Sequence, residues 1–253
     1  MRSLNVKEKF YGVVAVFVLW TLLYAFIGAQ IVPAPWIVIQ TFMNLILNGK
    51  LGLHLLHSLY RITCGIALAV IVGVPLGLVT GMRVKVHKFI SPIIYLLYPI
   101  PKIAFLPILM VLFGLGDLSK VILIFTIIVF QVFISTRDSV KEIPREFHYV
   151  TRSLKLDKMQ IYKDLILPSA MPKIFSAIRV SLGISISVLF FGENYATTYG
   201  IGYFIMNSWI MVNYEQMFAG ILALSFMGII LFQCLDLLER KCCKWMFIES
   251  KSQ

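Results

Sequence analysis

The run ITCGIALAVIVGVPLGLVTGM, residues 62–82, passes through 21 positions without a charged side chain. A helix needs about 20 consecutive apolar residues to cross the hydrocarbon of a bilayer. Only a helix or a closed barrel satisfies its backbone groups there. The stretch therefore predicts a membrane-spanning helix, and similar runs lie on either side of it. Tyr11–Ala29 precedes it; Phe89–Gly116, interrupted by Lys102, and Leu118–Thr136 follow. Ile174–Gly192, with Arg179 near its start, and Gln216–Leu235 complete a set of six. Tyr11–Ala29 has no convincing small-residue cleavage site and is followed by further spans, which favours a span over a signal peptide. The expectation is an all-α, polytopic membrane protein with six transmembrane helices.

Composition agrees. Of 253 residues, 59% are hydrophobic and 14% charged, with a mean hydropathy of +0.88, against about 25% charged in a soluble domain. This excludes an ordinary soluble enzyme, a disordered chain and a secreted disulfide scaffold. The net charge of +11, from 23 Lys+Arg against 12 Asp+Glu, would suggest nucleic acid in a soluble protein. Here it is the excess that the positive-inside rule produces, so no nucleic-acid partner is expected. Cys64 and Cys234 lie in apolar runs, and Cys242 and Cys243 in a basic tail facing a reducing cytosol. All four read as unpaired.

The cations set the orientation. Arg2, Lys7 and Lys9 precede span one, and Arg83, Lys85 and Lys88 lie between spans two and three. Eight Lys or Arg fall between Arg137 and Lys173, and Arg240, Lys241, Lys244 and Lys251 follow span six. The opposite connections are poor in cations: Lys50 and Arg61 flank the first, and Glu193–Glu215 contains none. Both termini are thus expected to be cytoplasmic. The long first outer connection, Gln30–Leu59, opens on Pro33-Ala34-Pro35-Trp36 and continues as an apolar stretch, Ile37–Leu47, stopped by Asn48-Gly49. That pattern fits a short interfacial helix with Trp36 as its anchor. The whole chain, 1–253, reads as one membrane domain. Residues 10–58 hold the first span and outer helix, 59–238 a five-span core, and 239–253 a basic cytoplasmic tail.

The connection Arg137–Lys173 is long enough to need structure of its own. Pro144 opens a helical pattern with Phe147, Val150 and Leu154 at i, i+3 and i+7. A second helix begins at Asp157, with Gln160 placed as in a capping box, and is expected to stop at Pro168. Two short helices with an elbow near Lys155-Leu156 result, spanning 144–168. Their apolar surface, rimmed by charge, suits either an interfacial helix resting on headgroups or a docking knob for a soluble partner.

From Tyr149 through Lys155 to Ile166-Leu167-Pro168, this segment resembles the coupling motif of ABC-importer permeases, in which Glu-Ala-Ala is followed by a glycine and then Ile/Val-Leu-Pro. HSLYRITCGIALAVIVGVPLGLVTG (57–81), YPIPKIAFLPILMVLFGLGDLSK (98–120) and GENYATTYGIGYFI (192–205) resemble the sulfonate/nitrate/taurine branch of these type I importers. The likeness runs colinearly over roughly Pro33–Leu238. Tyr149-Val150-Thr151 stand in place of Glu-Ala-Ala, and Lys155 in place of the glycine, where a left-handed backbone costs a non-glycine residue about 1 kcal/mol or more. Glu146, three residues earlier, is a candidate substitute for the missing carboxylate.

The resemblance implies a permease in a bacterial cytoplasmic membrane. Tyr149, Val150, Thr151, Lys155, Leu156, Asp157, Ile166, Leu167 and Pro168 would dock separate ATPase subunits. A second permease copy, forming a homodimer, and an extracytoplasmic solute-binding protein would complete the assembly. The sequence contains no GxxxxGK[ST] run, so ATP and its magnesium would bind the partner ATPase, with no cofactor in this chain.

Other residues are candidates from their setting. Gly65, Gly73, Gly77 and Gly81 recur at helical spacing in span two, suiting close helix packing or reflecting the general enrichment of glycine in membrane helices. Pro75 is expected to kink that span. Lys102, behind two prolines that break span three, either faces a translocation path and attracts an anion or snorkels to an interface. Glu193 either pairs with Lys102 or Lys120 or marks the outer interface. Asn194 and Thr197 are candidate path contacts, and Arg179 reads as an interfacial cation. Spans one, two, four and six hold no Asp, Glu or His in their cores, which argues against an intramembrane enzyme. A membrane scaffold that kept this shape but lost coupling is the alternative to a transporter.

Overall fold

A computed structural model describes residues 6–28 and 30–248; Arg2, Ala29 and Lys251 lie outside them. Among the described residues the chain is helical, with no strand. Its helices are α1 (Val6–Ile27), α2 (Pro35–Leu47), α3 (Lys50–Met82), α4 (Val84–Leu97), α5 (Leu106–Phe113), α6 (Asp117–Lys141) and α7 (Arg145–Ser153). They continue with α8 (Lys158–Gln160), α9 (Leu167–Glu193), α10 (Ile201–Ile210), α11 (Tyr214–Cys242) and α12 (Lys244–Ile248). Among the described residues five helices are long and apolar enough to cross a membrane, and α4 with the Lys102–Phe113 segment, bent by 80° at the break, counts as a sixth if the pair is one span. The chain divides into two compact units, one of residues up to Ser58 with Glu193–Met227, the other of Leu59–Gly192 and the residues from Gly228 onward.

In the second unit α3 and α6 meet at backbone distance. A Cβ added at Gly65 would lie 2.5 Å from Ile124 Cγ2, and at Gly73 3.1 Å from the Val129 carbonyl. At Gly77 it would lie 2.8 Å from the Phe133 carbonyl, and at Gly81 3.0 Å from that of Arg137. All four glycines face α6, and the contact is walled by buried Ile62, Ala69, Ile128 and Val132. Small residues are what lets two helices approach so closely in lipid, where packing replaces the hydrophobic drive. Pro75 lies inside α3, which runs on through it.

Several element boundaries differ from the sequence pattern. Helix α3 begins at Lys50, so the first connection is much shorter than Gln30–Leu59. Arg61, read as a flanking cation of that connection, is 3% exposed inside α3 and paired with Asp117 at 2.5 Å. The charge is tolerated because a carboxylate at the start of α6 meets it, and that carboxylate also complements the positive end of the helix dipole. Helix α6 continues to Lys141, so Arg137 belongs to a helix rather than a loop; it is buried against Asp138, Ser91 and Tyr95. Arg179 pairs with Asp236 and with Glu239 of α11. Lys173 pairs with Glu142. The four cysteines are free, and burial together with the Glu239 carboxylate pushes the Cys243 thiol up, keeping it protonated.

In the first unit α2 forms where the apolar stretch predicts, with Pro35 in its first turn. Trp20 Nε1 donates to the Pro33 carbonyl at 3.2 Å, and its ring stacks on Phe218, 5.8 Å between centroids. Trp36 meets Tyr24 edge-on and stays half exposed.

Candidate functional site

The segment between α6 and α9, in the second unit, is built from one exposed helix and a left-handed elbow. Pro144 is extended and opens α7. Phe147, Val150 and Leu154 are 53%, 55% and 65% exposed, an apolar stripe left open among the described residues. Tyr149 is also exposed, and Thr151 is buried. The helix ends in a pair of crossed hydrogen bonds: the Leu156 amide donates to the Thr151 carbonyl at 3.1 Å and the Lys155 amide to Arg152 at 3.0 Å. This is the Schellman arrangement, which needs a left-handed residue. Lys155 supplies it, at φ +52°.

Beyond the elbow, the Gln160 amide donates to Asp157 Oδ1 at 2.6 Å, and the Asp157 amide to Gln160 Oε1 at 2.8 Å. The capping box forms where the sequence places it. The helix that follows does not stop at Pro168. It widens into a π-helical turn over Ile161–Ile166 and continues as α9 through Pro168 and Pro172. Proline lacks an N–H and crowds the carbonyl four residues back; one wide turn directly before it absorbs the mismatch. The second short helix is therefore the foot of a 36-residue helix from Lys158 to Glu193. Leu165 and Ile166 are buried, and Leu167 and Pro168 partly so.

The same unit contains a cavity of about 570 Å3 beside the broken span. The break has a local cause: Pro101 has no N–H to offer the Leu97 carbonyl, and Pro99 disrupts the preceding turn. The freed carbonyls of Leu97, Tyr98 and Ile100 accept from Lys102 Nζ at 3.2, 2.7 and 3.2 Å. The ammonium also lies over the Phe130 ring, 4.7 Å from its centroid. Lys102 thus caps the broken helix and lines the cavity, and it is the single ionisable cation in that lining. Tyr98, Gln131, Ser181 and Ser187 bring polar groups to the wall, and isoleucines most of the rest. The Tyr98 hydroxyl donates to Gln131 Oε1 at 3.2 Å, which leaves the amide nitrogen to donate elsewhere. Ser181 Oγ is buried with no partner among the described residues, a state that costs about 1–3 kcal/mol when nothing answers it.

Glu193, Asn194 and Thr197 lie in the first unit and do not line this cavity. Glu193 is completely buried. Its carboxylate lies 2.7 and 2.9 Å from Ser58 Oγ and accepts from the Gly202 amide at 2.8 Å. The carboxylate holds the loop into α10. Thr197 Oγ1 donates within the same loop, to the Tyr195 carbonyl at 2.9 Å. Asn194 is partly exposed. Ser58 and Ser181 are not marked in the sequence, because a single hydroxyl carries no periodic signal. Among the described residues no cluster of His, Cys, Asp and Glu could hold a metal.

The described residues thus hold five apolar spans, a sixth broken in its middle, and an exposed helix that ends at a left-handed elbow. The model of the family described as "binding-protein-dependent transport system inner membrane component" matches residues 73–242, and the chain belongs to that family. It is 32% identical to the putative aliphatic sulfonates transport permease protein SsuC of Bacillus subtilis, over 87% of this chain and 79% of that one. It is 30% identical to the taurine transport system permease protein TauC of Escherichia coli, over 87% and 82%. To the nitrate import permease protein NrtB of Synechocystis it is 29% identical, over 87% and 82%. A solved structure of the MetNI methionine ABC transporter, in inward-facing conformations, shares the fold at a TM-score of 0.63 and 17% identity, covering 83% of this chain and 98% of that one.

Proposed function

We propose that this chain is the membrane-spanning half of an ATP-driven importer for a small anionic solute, of the sulfonate, taurine or nitrate kind. Two copies form the transport unit in the cytoplasmic membrane, with both termini and the α7 elbow on the cytoplasmic side. A solute-binding protein delivers cargo to the opposite face. ATP and magnesium are bound by separate ATPase subunits, on which α7 docks through Tyr149, Val150 and Thr151, positioned by the elbow from Lys155 to Asp157. Ile166, Leu167 and Pro168 carry the displacement into the long helix that ends at Glu193. The glycine-lined contact of α3 with α6 keeps that part of the unit rigid, so a push at the elbow moves packed helices as a body.

The observation that carries this reading is the bare apolar stripe of Phe147, Val150 and Leu154 directly before a left-handed turn. An amphipathic helix presenting anchors at i, i+3 and i+7 is suited to a groove on a partner. The anionic class is supported by the names of the relatives and by the lone cation in the cavity beside the broken span.

The deciding experiment is co-purification of the chain with its ATPase, followed by hydrolysis measured in proteoliposomes with the loaded binding protein. Stimulated hydrolysis with uptake is expected. A stable membrane protein that binds no ATPase would instead be a scaffold that has lost coupling.

A further inference from the structure

One buried hydroxyl in the second unit is left unused by its own fold. Ser181 is 2% exposed, lines the cavity beside the broken span, and has no hydrogen-bond partner among the described residues. Its neighbour one turn on behaves differently: Ser185 Oγ donates to the Ser181 carbonyl at 2.7 Å, the ordinary way a serine inside a membrane helix satisfies itself. Ser187 joins Ser181 on the cavity wall, and Tyr98 holds Gln131 so that its amide nitrogen is free to donate. The wall therefore offers donors and one positive charge, while Ile127 and its neighbours supply an apolar side. At about 570 Å3 the cavity lies within the range of small-molecule sites.

We infer that this cavity is a transient subsite for the oxyanion head of the transported solute, with Ser181, Ser187 and Gln131 donating to it and Lys102 providing a fixed positive field. The inference rests on the reading of the chain as an anion importer and extends it, because it gives the permease a selectivity of its own. A sulfonate matches the wall: its oxygens only accept, and its short alkyl chain suits the isoleucine side. The Nζ of Lys102 already faces three carbonyls, so the lysine acts at a distance through its charge, and the neutral donors make the direct contacts. Binding of this kind is weak, which a transit site requires, since the solute must leave as readily as it enters.

Saturation-transfer NMR on the permease–ATPase complex, without binding protein, tests the subsite with two methyl probes of similar shape. Methanesulfonate should receive saturation, and uncharged dimethyl sulfone should not. Ser181→Val and Lys102→Gln should each weaken the methanesulfonate signal on the order of tenfold, and Ser181→Ala, which removes only the hydroxyl, should do the same if valine disturbs packing. Equal signals from both probes, or undiminished signals in the serine variants, would overturn the subsite. Uptake of methanesulfonate, taurine or nitrate by the reconstituted transporter with its binding protein is measured separately. Uptake without a subsite signal defeats the subsite alone, whereas failure to take up any anion defeats the reading beneath it.

Discussion

Ser58 and Glu193, 135 residues apart in sequence, meet at 2.7 and 2.9 Å in a buried corner of the first unit. The serine oxygen also accepts the Ile201 amide at 2.8 Å, and the carboxylate accepts the Gly202 amide at 2.8 Å. Two side chains from elsewhere thereby cap the first amides of α10, whose own N-cap position is Gly200 and offers no side chain. Ser58→Ala leaves the Ile201 amide and part of a buried carboxylate unanswered. It should cost about 1–3 kcal/mol, read as a lower thermal unfolding midpoint in detergent and faster proteolysis between residues 194 and 200. Ser58→Thr, which restores the hydroxyl, should recover most of the loss.

The glycines of α3 give a sharper contrast. Gly77→Ala drives a methyl group to 2.8 Å from the Phe133 carbonyl, a backbone atom that cannot rotate away. Overpacking of this kind costs about 1–3 kcal/mol. In the same helix Gly52 has nothing within 4 Å of an added Cβ, so Gly52→Ala should raise stability by up to about 1 kcal/mol through helix propensity alone. Opposite shifts of the unfolding midpoint are expected from the same chemical change. An unaffected Gly77→Ala would contradict the α3–α6 contact.

What the sequence revealed and what it hid divide along a physical line. Length of apolar run, capping residues and proline positions are local properties, and they located the spans, the Asp157–Gln160 capping box and the break before Lys102. The partners of buried charges are not local. Arg61 and Arg179 carry no mark in the sequence of the carboxylates they meet, 56 and 57 residues away. Pro168 misled for a related reason: proline forbids one hydrogen bond, but a single wide turn lets the helix pass. The left-handed residue was legible as a position, through the glycine expected there, though the lysine hid it.

Lys155 holds φ +52° at the end of α7, a conformation costing a non-glycine residue about 1–2 kcal/mol. Lys155→Gly removes that strain while adding freedom to the unfolded chain, so the elbow should be unchanged or firmer by up to about 1 kcal/mol. Lys155→Val, branched at Cβ, should loosen it. Hydrogen exchange at the Leu156 amide, which donates to Thr151 across the turn, reads the elbow directly. Slower exchange in the glycine variant and faster in the valine variant are expected; the reverse order would contradict the left-handed turn.

Val150→Asp and Leu154→Asp test the docking surface with little risk to the fold, because both side chains are more than half exposed in the isolated chain. Surface substitutions of this kind usually stay within about 0.5 kcal/mol, so unfolding midpoints should hardly move. Association is another matter. An anchor that fills an apolar groove is desolvated on docking, and a carboxylate in its place is buried unpaired, at a cost of about 2 kcal/mol or more. Each variant should reduce recovery of the ATPase in co-purification on the order of tenfold or more, while Glu146→Gln, at the edge of the stripe, should have a smaller effect that fades as salt is raised. Full ATPase recovery with both aspartate variants would mean that the stripe faces lipid headgroups and that force enters the bundle elsewhere.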